Sequence, residues 1–85
     1  MDSLKPLLSA GLISAGDILT LRRRGGLTHK AFVETNGYLK VKDARIFKSP
    51  SGAAKFFVNR PINGWDAWKT ASGASLSRLR DSLAK

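Results

Sequence analysis

The sequence predicts an α+β fold: a small antiparallel β-sheet of three to five strands with an N-terminal helix, a helix after a Ser-Pro-Ser motif and a C-terminal helix. Leucines recur at helical spacing near both ends of the chain, whereas the middle consists of short apolar and polar alternations separated by glycine-containing turns. The chain has 85 residues, enough for one hydrophobic core, so we expect a single domain over residues 1–85.

Leucines that share one helical face predict the two terminal helices. Those of the first helix are Leu4, Leu7 and Leu8. Those of the last helix are Leu76, Leu79 and Leu83. Gly11 would end the first helix, and Ser75 would cap the last one.

Three strands should follow the first helix. Residues 18–24 are branched and apolar before they become basic, which is typical of a strand that ends at the surface. The glycines at 25–26 would reverse the chain into a second strand at 28–35. The Asn-Gly pair at 36–37 favours a tight hairpin, which leads into a third strand at 38–42.

The third strand alternates clearly between apolar and polar residues. Leu39 and Val41 would face the core, while Tyr38, Lys40 and Lys42 would face the other way. One face of the sheet should therefore be buried, and the other should be solvated and positive.

A helix is expected over residues 50–58, after a short strand at 45–47. Ser49 can accept a hydrogen bond from a free amide of the first turn, and Pro50 stands where a missing N–H costs nothing. A loop should then lead to a short final strand at 68–70, ahead of the last helix.

Positive charge dominates the composition. The chain has 15 Lys and Arg against 6 Asp and Glu, a formal net charge of +9. Residues 22–60 hold ten basic and two acidic residues, a net of +8, so the excess belongs to the middle of the chain. Such an excess predicts attraction to a polyanion such as nucleic acid.

Several classes of protein and site are disfavoured by residues that the sequence lacks. It has no cysteine and one histidine, which excludes disulfides and thiolate or paired-histidine metal sites, and we expect no cofactor. His29 has no carboxylate at a recognisable catalytic spacing, so we expect no enzyme activity. A membrane span and a signal peptide are not indicated either, and we expect a cytoplasmic, nucleoid-associated protein.

Seven cations are candidates for contacts with DNA phosphates: Arg22, Arg24, Lys40, Lys42, Arg45, Lys48 and Lys55. The alternative is that they are solvated charges that keep the protein soluble. We expect them to gather on one continuous surface.

The start of the helix at 50–58 is a second candidate. Lys48, Ser49 and Ser51 lie beside its free amides and can hold a phosphate together, because a helix N-terminus attracts anions. The alternative is simple capping of the helix by Ser49.

The two tryptophans differ in what they predict. Trp68 is expected in the core, whereas Trp65 follows a turn signal and leaves packing and base stacking both open. Asn63 is either a turn residue or an amide that reads a purine edge.

These motifs together resemble one family. The opening leucine-rich segment, the segment FKSPSGAA at 47–54, the segment NGWDAW at 63–68 and the closing helix are similar to the RAMA domain, the restriction endonuclease and adenine methylase associated domain. The resemblance covers nearly the whole chain. Gly52 departs from the bulkier residue expected in that family.

The resemblance implies a small α+β module that binds double-stranded DNA and is attached to methyltransferases or nucleases. It nominates Ser49, Ser51, Asn63 and Trp65 as residues on the DNA side. The resemblance does not imply catalytic activity, since the chain contains no methyltransferase or nuclease motif.

The prediction is therefore a non-catalytic DNA-binding module that contacts phosphates through a basic face and bases through the loop around Asn63 and Trp65. Whether it senses modified (methylated) DNA stays open. The alternative is a protein-interaction module that docks an acidic partner or a parent catalytic domain.

Overall fold

The structure is a computed structural model that describes residues 3–23, 25–59 and 62–83. Within these residues it has four α-helices, one 3₁₀ turn and five strands, and it confirms the α+β prediction. The helices are α1 (Lys5–Ser9), α2 (Pro50–Val58), α3 (Gly64–Ala67) and α4 (Leu76–Leu83). The strands are β1 (Ile18–Arg22), β2 (Thr28–Val33), β3 (Leu39–Lys40), β4 (Ile46–Phe47) and β5 (Trp68–Lys69), and the 3₁₀ turn is Lys42–Ala44.

The five strands form one antiparallel sheet in the order β4-β3-β2-β1-β5. The first four strands are neighbours in sequence order. β5 pairs with β1, with Leu21 opposite Trp68, at the edge far from β4. The chain between β4 and β5, which holds α2 and α3, therefore passes across one face of the sheet.

The alternation of side chains divides the sheet into a buried face and an open face. Leu19 and Leu21 of β1 are buried together with Ala31 and Val33 of β2, and Trp68 of β5 joins them. The buried residues of the helices belong to the same core cluster, so the helices cover this face. The other face has no helix among the described residues, which makes the protein a two-layer structure.

α2 has the bounds that the sequence predicts. The Ser49 hydroxyl oxygen accepts a hydrogen bond from the Gly52 amide at 3.1 Å, and Pro50 occupies the first helical position. Ala53 and Ala54 are fully buried, because their small side chains let the helix lie close to the sheet. The helix ends at Asn59, whose backbone is left-handed with φ 59°.

The hairpin between β2 and β3 differs from the expected two-residue turn. Its last backbone pair joins Glu34 and Tyr38, which leaves three residues in the loop. Gly37 alone takes the left-handed conformation, with φ 85°. Its carbonyl oxygen accepts a hydrogen bond from the Leu4 amide at 2.8 Å, so the loop also anchors the start of α1.

The third strand is shorter than its alternating sequence indicates. Leu39 and Val41 are buried and Lys40 is exposed, as the alternation predicts. The strand nevertheless ends at Lys40, because the 3₁₀ turn contains left-handed backbone at Asp43 and Ala44. None of the helices in the described part of the chain has the length and apolar character that a membrane crossing needs.

Candidate nucleic-acid interface

The Ser-Pro-Ser and Asn-Gly-Trp motifs touch each other. The Ser51 hydroxyl oxygen accepts a hydrogen bond from the Gly64 amide at 3.0 Å. Gly64 packs so tightly against the Pro50 carbonyl group that a Cβ atom has no room there. The Trp68 indole Nε1 donates to the Pro50 carbonyl oxygen at 3.0 Å. These contacts, which we name the motif clamp, hold the start of α2 against α3 and β5.

Both serines of the Ser-Pro-Ser motif make hydrogen bonds within the chain. The Ser49 hydroxyl caps α2 through Gly52, which is the capping alternative of the sequence analysis, and the Ser51 hydroxyl reaches across to Gly64. Both hydroxyl groups are half-buried acceptors within the chain. Lys48 is exposed beside them, so this helix start presents one cation. Phosphate binding here stays a prediction.

Asn63 caps α3. Its Oδ1 accepts a hydrogen bond from the Trp65 amide at 3.0 Å, and its Nδ2 donates to Asp66 Oδ2 at 3.0 Å. Both ends of the amide are thus engaged within the chain, although the side chain is exposed. These bonds orient the amide for capping and use one donor and one acceptor site of the side chain, so base reading by Asn63 stays a prediction.

Trp65 is buried, which favours packing over base stacking, the two alternatives that the sequence left open. Its side chain is only 7% exposed, because the contact between Gly64 and Pro50 turns α3 into the core. Arg80 of α4 covers the ring, with its guanidinium carbon 4.4 Å from the ring centroid. Trp65 therefore packs inside the protein and offers no open ring for a base. The Asn63-x-x-Asp66 spacing, which favours a helix start, is the sequence signal that pointed to this.

The open sheet face carries the strongest pattern of charge. Each strand contributes alternate residues to this face, and directly paired residues share it. In order along the chain the nine positions are Ile18, Thr20, Arg22, Thr28, Lys30, Phe32, Lys40, Ile46 and Lys69. Four of these nine strand positions are cationic and none is acidic.

An apolar row crosses the same face. Phe32 lies in the central strand β2, opposite Ile18 of β1 and Lys40 of β3, and Lys40 in turn lies opposite Ile46 of β4. Phe32 and Ile18 are each 44% exposed, and Ile46 is 54% exposed. Large apolar side chains and lysines therefore lie next to one another on one solvated surface.

Seven of the nine residues on this face were not among the predicted sites, and three of the seven are cationic or aromatic. Lys30, Phe32 and Lys69 are brought there by the pairing of β2 and β5 with β1. The alternation in residues 28–33 was the available signal, but this segment has polar and aromatic residues on both faces.

The other predicted cations lie at the β4 edge. The Arg45 guanidinium carbon is 5.1 Å from the Phe56 ring centroid, and the Phe56 ring is 5.4 Å from that of Phe47. Lys48 follows Phe47 and Lys55 precedes Phe56, and both are exposed. We name Arg45, Lys48 and Lys55 the edge cations.

The predicted cations therefore fall into two groups. Arg22 and Lys40 lie on the open face, and the edge cations lie beside β4 and α2. Lys42 is exposed in the 3₁₀ turn that connects β3 to β4. Arg24 lies outside the described residues.

His29 belongs to the packed side. Its ring stacks on Phe57 with centroids 4.1 Å apart, and its buried Nε2 has no hydrogen-bond partner among the described residues. Burial lowers the pKa of His29 below 6.5, and the nearby charges of Arg23 and Lys42 lower it further. No group of three or more potential metal ligands occurs in the described ranges.

A comparison with family models adds one finding. The model described as Restriction Enzyme Adenine Methylase Associated, or RAMA, matches residues 3–85. None of the curated proteins compared with the chain matches it. The matched residues include the motif clamp, the open sheet face and the edge cations.

Proposed function

Because the chain belongs to the RAMA family, of domains associated with restriction enzymes and adenine methylases, we propose that it is a non-catalytic module that binds double-stranded DNA. The cations of the open face and the edge cations would contact phosphates. A methyltransferase or nuclease, linked or associated, would carry out the chemistry.

The acid-free open face is the observation that carries this proposal. Lys30 and Lys69 both lie opposite Thr20, on either side of β1, and Lys40 lies opposite Phe32. Neighbouring strands are about 4.8 Å apart, so these cations are close enough to repel one another. A row of phosphates would remove that repulsion and release the counterions of the DNA.

Base reading by the Asn-Gly-Trp loop does not enter the proposal. Trp65 is packed under Arg80, and both ends of the Asn63 amide are engaged. Phosphate contacts position a protein on DNA without reading its sequence. We therefore expect the isolated module to bind duplexes of different sequence, methylated or not, with similar affinity.

The salt dependence of binding tests the proposal. Fluorescence anisotropy with a duplex of about 20 base pairs would give the affinity at several salt concentrations. If about six phosphates are contacted, the logarithm of the affinity should fall with the logarithm of the salt concentration at a slope of about −5. A slope near zero would contradict phosphate binding.

Charge reversal locates the contacts. The double variant Lys30→Glu/Lys40→Glu should make the slope less steep by about 2, because two phosphate contacts are lost. Lys5→Glu/Arg78→Glu is the matched control, since both residues are exposed on helices on the other side of the sheet and the change in net charge is equal. An equal loss in both variants would show that only the total charge matters.

A second candidate function is favoured by the apolar residues of the open face. Ile18, Phe32 and Ile46 are exposed next to lysines, a combination that also suits an acidic protein surface with an apolar centre. Binding to a partner methyltransferase or nuclease, without any binding to DNA, would support this alternative.

A further inference from the structure

We propose that the open sheet face binds unpaired nucleotides, with Phe32 as the ring on which a base stacks. This inference rests on the proposed function, because the same cations must hold the phosphates. It goes further by naming a strand with exposed bases as the preferred ligand of this face.

Phe32 occupies the centre of the open face. It lies in the middle strand of the sheet, the residue is 44% exposed, and its direct neighbours across the strands are Ile18 and Lys40. Lys30 is two residues away on the same strand and therefore on the same face. A planar apolar ring is thus surrounded by both apolar and cationic side chains.

A duplex alone leaves this apolar row without a partner. Base faces in a duplex are covered by their stacked neighbours, so a protein meets only phosphates, sugars and groove edges. Five strands span about 19 Å, wider than the major groove at about 12 Å, so the sheet cannot enter the groove face-on. The lysines would be used on a duplex, but Phe32, Ile18 and Ile46 would stay in water.

A single strand of DNA would contact both the apolar and the cationic side chains of this face. Its unpaired bases present flat apolar faces, and its phosphates lie along the same chain. Bases stacking on Phe32 and packing against Ile18 would place the backbone near Lys30 and Lys40. Several domain families bind single strands on a sheet with exposed aromatic side chains. The stacking itself tolerates any base, because every base has a flat face.

The test compares three DNA probes: a thymidine single strand, an abasic strand of equal length and a fully paired duplex. Wild-type protein should bind the thymidine strand at least about tenfold more tightly than the abasic strand, since stacking one base is worth about that factor. Phe32→Ala should remove this preference and change duplex binding by less than about twofold. Phe32→Tyr should retain it, because the ring is preserved.

Leu27→Ala is the matched control. Leu27 is also exposed and apolar, at 58%, but it lies in the turn between β1 and β2, outside the row. Its replacement should leave the preference for the thymidine strand unchanged. Thermal melting of each variant would confirm that the fold is retained, as expected for exposed positions.

The outcomes separate this inference from the proposed function. Salt-dependent duplex binding without a preference for thymidine over abasic strands would overturn the inference and leave the proposed function intact. Absence of binding to every probe would overturn both. Self-association of the wild type that Phe32→Ala abolishes would overturn the inference by assigning the row to a second copy of the chain.

Discussion

The indole Nε1 of Trp68 donates a hydrogen bond to the carbonyl oxygen of Pro50, 3.0 Å away in the core. The bond joins the edge strand β5 to the first residue of α2, which are 18 residues apart in sequence. A buried indole N–H needs an acceptor, and the Pro50 carbonyl oxygen provides it. The residues of the Ser-Pro-Ser and Asn-Gly-Trp motifs therefore stabilise the fold.

The two kinds of sequence signal, the motifs and the pattern of charge, lie on opposite sides of the sheet. The motif clamp and the packed Trp65 lie on the helical side, where packing restricts their choice of residue. The open face carries only lysine, arginine, threonine and apolar side chains at alternate positions, with no motif to mark it. The resemblance to RAMA thus identifies the fold, and the charge pattern indicates where a polyanion would bind.

We expect Gly64→Ala to destabilise the protein by about 3 kcal/mol. The new Cβ atom would collide with the Pro50 carbonyl group and the Ser51 amide, and backbone atoms in a helix start cannot move aside. Chemical denaturation measures the free energy of unfolding directly. Gly73→Ala is a control without a clash, since the added methyl group meets open space and only the φ of 89° causes strain. Equal losses in the two variants would contradict the clamp.

Trp65→Ala and Trp68→Ala should both cost about 3 to 5 kcal/mol of stability, because both rings are buried. The milder Trp68→Phe isolates the hydrogen bond, since it keeps an apolar ring but removes the indole N–H that donates to the Pro50 carbonyl oxygen. Urea unfolding, followed by circular dichroism, compares the three variants. A loss of stability below about 1 kcal/mol for Trp65→Ala would contradict the burial of that ring.

Local signals predicted most of the fold. The bounds of α2 follow from Ser49 and Pro50, which fix a helix start without help from the rest of the chain. The exposure of Lys40 follows from the alternation of its strand. The position of β5 beside β1 was not predictable, because a strand of two residues carries no information about its partner.

The site was less predictable than the fold. The contact between Gly64 and Pro50 that buries Trp65 joins segments distant in sequence, so the turn signal alone left burial and exposure of Trp65 both open. Lys69 reaches the open face only through the pairing of β5. Which cations share a face therefore depends on the order of the strands in the sheet. The order of residue types along the chain does not specify that topology.

His29 should make the stability depend on pH. Its pKa in the folded protein is lowered from 6.5, mainly by burial, so the folded state binds the proton less readily than the unfolded state. The contribution is fully present above pH 6.5 and is lost as the pH falls through the lower pKa of the folded protein. Between pH 7.5 and pH 5 the melting temperature of the wild type should therefore fall.

His29→Phe tests this dependence. Phenylalanine can keep the stacking on Phe57, and it removes both the titration and the buried nitrogen that has no partner in the described part of the chain. Melting curves of the variant should change less than those of the wild type over the same pH range. An identical decrease in both proteins would assign the pH dependence to carboxyl groups instead.

Arg80→Ala should cost about 0.5 to 1 kcal/mol of stability and expose the Trp65 ring, since the guanidinium group lies over that ring at 4.4 Å. Acrylamide quenching of tryptophan fluorescence would detect the exposed ring, and Arg80→Lys should retain part of the protection. Arg78→Ala is the matched control, because Arg78 is also exposed on α4 and its loss removes the same charge.

Arg80 lies on the helical side, so DNA binding should weaken equally and only slightly in both alanine variants. A much larger loss of binding for Arg80→Ala would place the interface on α4 and contradict its assignment to the open sheet face.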